Sequence, residues 1–449
     1  MTFFGGRSFL SRAVATFLLL GIAVFATAGT GFCQTETEAS VTTVDGLMNR
    51  GDAAMQARQF EAARHAYEKA VTVAESLLAE SVESDAVLQR YANSLWKLGE
   101  LEVLVGDIDS AREVFALSME VSARRVTLDP ADAQAILVED LNRLGDLELG
   151  AGSVAAAQEA YRKSVSVAES LRLLLPNNGL VTHLHALSLG KLGDAEAQLD
   201  NLSIAREAYT RSLTVNVEPS GDKSPSMLDD DILILWSLGT VEVRAGNLGA
   251  AHRAFQSALV IAEGRYPGTE RLPQFAVRDL VTALVRIGEV QSLSGKYDAA
   301  LASLERAVET TGALDATDPD SADVLLDLVE SLCALGQEAV ASRHREVGYA
   351  AFEHCTKIAE QVVAAGWEQS HLQFVLAAAL ANLGSLEEQL GNQTAAFDHY
   401  ERSMDILWNV NRAELSNSEV NALWNFITRR LPPKRRVEQL KRRLKRQPD

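Results

Sequence analysis

Residues 95–101 read LWKLGEL, and the same phrase returns as LNRLGDL at 141–147, LGKLGDA at 189–195, LWSLGTV at 235–241, LVRIGEV at 284–290, LCALGQE at 332–338 and LANLGSL at 380–386. The glycines are Gly99, Gly145, Gly193, Gly239, Gly288, Gly336 and Gly384, and Gly51 extends the series backward. Their spacings are 48, 46, 48, 46, 49, 48 and 48 residues, a period too regular for chance matches among leucines and glycines. Four residues before each glycine stands leucine: Leu47, Leu95, Leu141, Leu189, Leu235, Leu284, Leu332 and Leu380. Twelve after it stand Ala63, Ala111, Ala157, Ala205, Ala251, Ala300, Gly348 and Ala396. Sixteen after it come Tyr67, Phe115, Tyr161, Tyr209, Phe255, Leu304, Phe352 and Tyr400, and nineteen after it Ala70, Ser118, Ser164, Ser212, Ala258, Ala307, Cys355 and Ser403. Steps of three and four put these positions on one face of a helix.

The ladder predicts a helical hairpin. A glycine without a side chain lets the partner helix's alanine come close, the aromatic fills the wedge beside that contact, and the small residue three further on lets the next hairpin dock. Gly106, Gly152, Gly246, Gly295 and Gly391, each seven past the landmark, mark the turn, where a helix end favours glycine. Arg58, Asp200 and Arg343 stand there instead in the other three repeats.

The order small, small, aromatic, small resembles the tetratricopeptide repeat, over roughly residues 45 to 410. The resemblance implies an all-α fold, an α-α superhelix (solenoid) of eight helix-turn-helix repeats, and a role in protein-protein interaction. The family's usual unit is about 34 residues and this one about 48, as in long-period arrays of the family. HEAT and armadillo arrays share the longer period, but the glycine, alanine and aromatic ladder speaks for the tetratricopeptide type. Pro130, Pro176 and Pro319 each lie 31 past the landmark, which predicts a second helix lengthened by about two turns, with the other half of the excess at the start of the first helix.

The chain is divided accordingly: a signal peptide at 1–28, a linker at 29–44, the solenoid at 45–410 with a candidate joint at 216–230, and a C-terminal capping helix and basic tail at 411–449. Arg7 and Arg12 precede an uncharged apolar run at 13–28, and Ala26-Thr27-Ala28 suits a signal peptidase, so export to a periplasmic or extracellular space is expected. Lipidation at Cys33 and retention as a membrane anchor are the alternatives to cleavage. With 449 residues, 47% of them apolar, and three cysteines, the core is expected to be hydrophobic rather than disulfide-stapled. Cys333 and Cys355 fall in one repeat, where they read as two small buried residues that an oxidising compartment would let meet across the helix pair.

No catalytic constellation stands out, so no enzyme, cofactor or metal is expected. No two of the eight histidines have the i, i+4 spacing of a helical metal pair, and no phosphate loop, nucleophile elbow or CxxC occurs. The family resemblance assigns the concave face to the first helix of each repeat. The residue after each landmark glycine is expected to border it: Asp52, Glu100, Asp146, Asp194, Thr240, Glu289, Gln337 and Ser385. The acids among them suit a basic peptide or protein, or else serve only the repeat's geometry. Trp96 and Trp236, three before their glycines, are candidate anchors there. The tail carries Lys434, Arg435, Arg436, Lys441, Arg442, Arg443, Lys445 and Arg446, part of a net +8 at 429–449 in a chain whose total is −19. That pattern suits an anionic membrane or another envelope polyanion, or the chain's own acidic array; with export, nucleic acid is not expected. The function expected is an exported scaffold or adaptor, with a non-catalytic subunit of an enzyme or signalling complex as the alternative.

Overall fold

A computed structural model describes residues 32–80, 84–125, 130–216, 225–265, 272–367, 370–410 and 417–437. Among these residues there are helices and turns but no strands. The helices are α1 (Phe32–Gln56), α2 (Phe60–Glu80), α3 (Asp85–Val105), α4 (Ile108–Arg125), α5 (Pro130–Gly150), α6 (Val154–Leu174), α7 (Gly179–Gln198), α8 (Leu202–Val215) and α9 (Pro225–Arg244). They continue as α10 (Leu248–Gly264), α11 (Gln274–Leu293), α12 (Tyr297–Thr310), α13 (Pro319–Ala341), α14 (Arg345–Ala364), α15 (Ser370–Leu390), α16 (Gln393–Asn409) and α17 (Asn417–Arg430).

Odd and even helices from α1 to α16 pair as eight hairpins, the all-α solenoid of the sequence reading. The chain forms two compact units, residues 1–128 and 129–449. Within each, a second helix packs both on its own first helix and on the first helix of the next pair. First helices have 20 to 25 residues and second helices 14 to 21, so the long period is carried mainly by the first. Helix α1 takes in most of the stretch read as linker. The candidate joint lies partly outside the described residues. At its described ends, buried Asn216 donates from its side chain to the Met227 carbonyl at 3.0 Å and to Asp231 at 2.9 Å, tying the end of α8 to α9.

The hairpin turns repeat one geometry. At each, the amide eight past the landmark bonds back to the carbonyl three past it, as in Asp107 to Glu102 at 2.9 Å and Asn247 to Glu242 at 2.8 Å. That closure needs a left-handed residue between, and the turn position has positive φ in every repeat. Five are glycines, but Arg58, Asp200 and Arg343 adopt φ of 55°, 63° and 71°.

The landmark glycine has a different role from the one expected of it. A Cβ at Gly145 would lie 2.2 Å from the Tyr161 ring, and at Gly239 2.4 Å from Phe255; Gly51, Gly99, Gly193, Gly336 and Gly384 meet their own aromatics in the same way. The glycine therefore seats the ring sixteen residues on. The alanine is buried alongside in seven repeats, and its carbonyl is the next neighbour at Gly288 and Gly384. The small residue nineteen on also does more than leave room: Ser118, Ser164, Ser212 and Ser403 donate their hydroxyls to the carbonyls of Ala92, Val138, Ala186 and Ala377 in their own first helices. In the seventh repeat that position is Cys355, and it is disulfide-bonded to Cys333 rather than merely packed near it.

Candidate functional site

In three repeats the ring under the landmark glycine is a tyrosine that reaches the residue following the glycine, and this fixes what those acids do. The hydroxyls donate to it directly: Tyr67 to Asp52 at 2.7 Å, Tyr161 to Asp146 at 2.7 Å and Tyr209 to Asp194 at 2.6 Å. Burial first, and then the neighbouring carboxylate, pushes all three phenols above their ordinary pKa. Burial also raises Asp194, against the Tyr209 hydroxyl, Lys191 and the Ser237 hydroxyl, which favour its charged form.

A second set of partners stands two residues before the next glycine. Lys97 reaches Asp52 at 3.3 Å and Glu100 at 3.9 Å, and Lys191 reaches Asp146 at 2.6 Å. Glu289 accepts from Ser331 at 2.6 Å and pairs with Arg286, which also meets Asp327 at 3.0 Å. The carboxylates of Asp52, Glu100, Asp146 and Glu289 nevertheless keep between 33% and 48% of their side-chain exposure. Asp52, Glu100 and Trp96 belong to the first unit, and Asp146, Asp194, Trp236 and Glu289 to the second. Both tryptophans are half-buried; Trp236 packs against the largest apolar cluster, and the Lys97 ammonium lies 5.3 Å from the Trp96 ring.

The sequence reading missed a buried charge ladder. Three residues past the glycine stand Glu102, Glu148, Glu196, Glu242 and Glu387, all buried. Arg64 grips Glu102 with two bonds of 2.8 and 2.6 Å, Arg206 grips Glu242 at 2.6 and 2.8 Å, Arg162 meets Glu196 at 3.2 Å and Tyr349 meets Glu387 at 2.7 Å. Each donor comes from the preceding repeat's second helix. The turn residues Asn201, Asn247 and Asn392 add a second bond to Glu196, Glu242 and Glu387. Those bonds, Tyr349 first, hold the Glu387 carboxyl below its ordinary pKa. The phrase LGxxE was the available signal, but its partners lie 34 to 38 residues away.

At the C-terminus, α17 packs on α16 and α15. Arg430 pairs with Glu388 at 3.3 Å, and Arg435 with Asp398 at 3.0 Å and Glu401 at 3.1 Å. Lys434 is exposed and Arg436 half-buried. Lys441, Arg442, Arg443, Lys445 and Arg446 lie outside the described residues. Among the described residues no group of His, Cys, Asp and Glu is disposed to hold a metal, and no helix is long and apolar enough to cross a membrane.

A stack of helical hairpins seated on a glycine–aromatic contact defines a helical-repeat scaffold. The tetratricopeptide repeat model matches residues 44–77 and 281–312, the ladder extends the same unit across eight repeats, and the chain is a tetratricopeptide-repeat protein. Comparison with curated protein sequences gives no match. Among solved structures the chain is similar to BtubC from P. vanneervenii, at 19% identity over 57% of this chain and 91% of that one, with a TM-score of 0.43. It is also similar to a signal-transduction ATPase with a tetratricopeptide repeat sensor from Pyrococcus horikoshii, at 13% identity over 86% of this chain and 55% of that one, TM-score 0.46. A tetratricopeptide repeat protein from Parabacteroides merdae ATCC 43184 aligns at 13% identity over 75% and 98%, TM-score 0.38.

Proposed function

We propose that the protein is an exported, non-catalytic scaffold that holds a peptide or protein along its first helices. The fold is that of a protein-protein interaction scaffold in general. The reading rests on one observation made in each unit: its first helices present a polar residue at one register, and Asp52 and Glu100 in the first unit and Asp146 and Glu289 in the second stay a third to a half exposed. A cationic partner suits such a row, because charge complementarity steers encounter and fixes register. Since lysines and arginines of the array already meet these acids, the partner must displace or outnumber them.

Export is part of the proposal. It is supported by Arg7, Arg12 and the apolar run after them, and by the Cys333–Cys355 disulfide, a bond that persists in oxidising compartments. The tail is proposed as a second contact, for an anionic envelope surface. Arg430 and Arg435 are engaged by the array's own acids, so that contact falls to Lys434 and the basic residues beyond it.

The test compares capture of envelope proteins by the wild-type chain with capture by a Glu100→Gln, Glu289→Gln variant, which removes two charges that no tyrosine depends on. A partner held by the wild type, released by salt and lost by the variant supports the reading. Equal retention by both removes the acidic row from it.

A further inference from the structure

His185, on α7, is the least expected side chain in the second unit. It stands eight residues before its landmark glycine, a register that holds buried Leu280, Leu328 and Leu376 in later repeats and buried Tyr91 and Asp231 in others. It is equally buried, at 2% exposure, yet neither ring nitrogen hydrogen-bonds to the protein. Burial holds the imidazole neutral, with a pKa lowered to about 4. Buried Asp231, at the same register of the next repeat, accepts from Asn216, whereas the imidazole is one donor and one acceptor, both unused. Such a group costs stability unless something else satisfies it.

The ring forms the floor of a crevice of about 400 Å³ between the second helices α6 and α8. That volume lies within the usual range for small-molecule sites, roughly 300–1,000 Å³. Its walls carry Arg172 and Leu173 from the end of α6 and Arg211 and Val215 from α8. Arg172 is exposed and makes no ion pair among the described residues, and Leu173 is 83% exposed. Arg211 is paired with Glu169, whose carboxylate also lies 3.8 Å from His185 Nε2, beyond hydrogen-bonding reach. Two guanidinium groups, a neutral imidazole and two aliphatic side chains thus converge on one space, with a single resident carboxylate at its edge.

We propose that this crevice binds a carboxylate carried on a short apolar body. Arg172 and Arg211 meet the charge, His185 donates from the floor, and Leu173 and Val215 cover the apolar part. Glu169 competes with the ligand for Arg211. The site is separate from the acidic row and of opposite preference. The carboxylate belongs either to a free small acid or to the C-terminus of a partner peptide.

The test uses the full chain with ring-labelled histidine and follows the His185 signals, assigned by their loss in His185→Leu. Hexanoate is the first probe, and a short peptide ending in leucine the second. Saturable movement of the His185 signals by hexanoate is expected. Arg172→Gln should weaken it about tenfold or more, and Glu169→Gln should tighten it. Binding of hexanoate measured by titration calorimetry should disappear in His185→Leu, whose melting midpoint should rise because leucine suits the register. Stronger binding by the peptide assigns the site to a partner's C-terminus, and stronger binding by hexanoate to a free acid. Absence of saturable movement with both probes overturns the proposal, as does hexanoate binding that is undiminished in His185→Leu.

Discussion

Replacing Gly145 by alanine tests the central contact of the fold. The new Cβ would stand 2.2 Å from Tyr161 Cε1, so the ring must recede by about 1.3 Å to reach ordinary contact distance. Tyr161 is 1% exposed, so the ring cannot swing out into solvent. Its hydroxyl is also fixed to Asp146 at 2.7 Å, a bond that the displacement breaks. Overpacking costs about 1–3 kcal/mol and the lost bond to a charged acceptor about 1.5–3, offset by about 1 from alanine's better helix propensity. The net expectation is a loss of about 1.5 to 5 kcal/mol. At Gly150, the end of the same helix α5, an added Cβ would meet nothing within 4 Å, and Gly150→Ala should be neutral or stabilising by up to about 0.5 kcal/mol. Urea melts of the two variants, followed by helicity, give the comparison. Arrays of this kind lose stability through nearest-neighbour interfaces, so the loss should appear as an early unfolding step rather than a uniform shift. If the two variants melt alike, the glycine–ring contact does not hold the hairpin.

Three further outcomes are expected. Arg343→Gly should stabilise by about 0.5 to 1 kcal/mol, because a left-handed arginine costs about 1–2 and glycine's extra unfolded-state freedom returns part of that; a lower melting midpoint would count against the strain at φ 71°. Converting both Cys333 and Cys355 to serine should cost about 3 kcal/mol for a loop of 22 residues, and a reductant should lower the wild-type midpoint while leaving the variant's unchanged. The folded pKa of Glu387 is depressed, so the stability it contributes is present above its unfolded value of 4.5 and lost as pH falls through the folded value. Tyr349→Phe should therefore destabilise at pH 7 and less so below 4.5, and a pH-independent difference would show that the Tyr349 bond does not favour the charged form.

The hairpins were legible because one glycine per repeat has a steric reason that no other residue satisfies. Register, turn position and buried aromatics all follow from it by fixed offsets. The partner of that glycine was not legible, because a ring sixteen residues on and an alanine twelve on lie on the same helical face and only the folded hairpin separates them. The Arg206–Glu242 and Arg64–Glu102 bridges were hidden for a different reason. A glutamate beside a hydrophobic seam reads as a solvated charge unless its arginine, in another repeat, is known to reach it. Cys333 and Cys355 were placed in one hairpin, but burial and bonding give the same sequence pattern. His185 was not legible for another reason: its register holds Leu137, Leu280, Leu328 and Leu376 but also Thr43, Tyr91 and Asp231, so a polar residue there signals nothing by itself.

The acidic row shows how one chain can report on its own constraints. Asp follows the glycine in the three repeats where tyrosine lies beneath and the pair is bonded: Asp52 with Tyr67, Asp146 with Tyr161, Asp194 with Tyr209. Where the ring position holds phenylalanine or leucine, the residue is Glu100, Thr240, Glu289 or Gln337, longer or uncharged. In the last repeat Ser385 follows the glycine, and the carboxylate that accepts from Tyr400, at 3.1 Å, is Glu388. A short carboxylate is therefore tied to a phenol that would otherwise be buried without an acceptor, and this is a folding requirement. It follows that reversing Asp146 or Asp194 cannot separate binding from stability, since the reversal also orphans Tyr161 or Tyr209. Glu100 and Glu289 have no phenol to satisfy; Glu289 also accepts from the buried Ser331 hydroxyl, which glutamine can do as well, so removing the charge at those two positions tests a partner without orphaning a buried phenol.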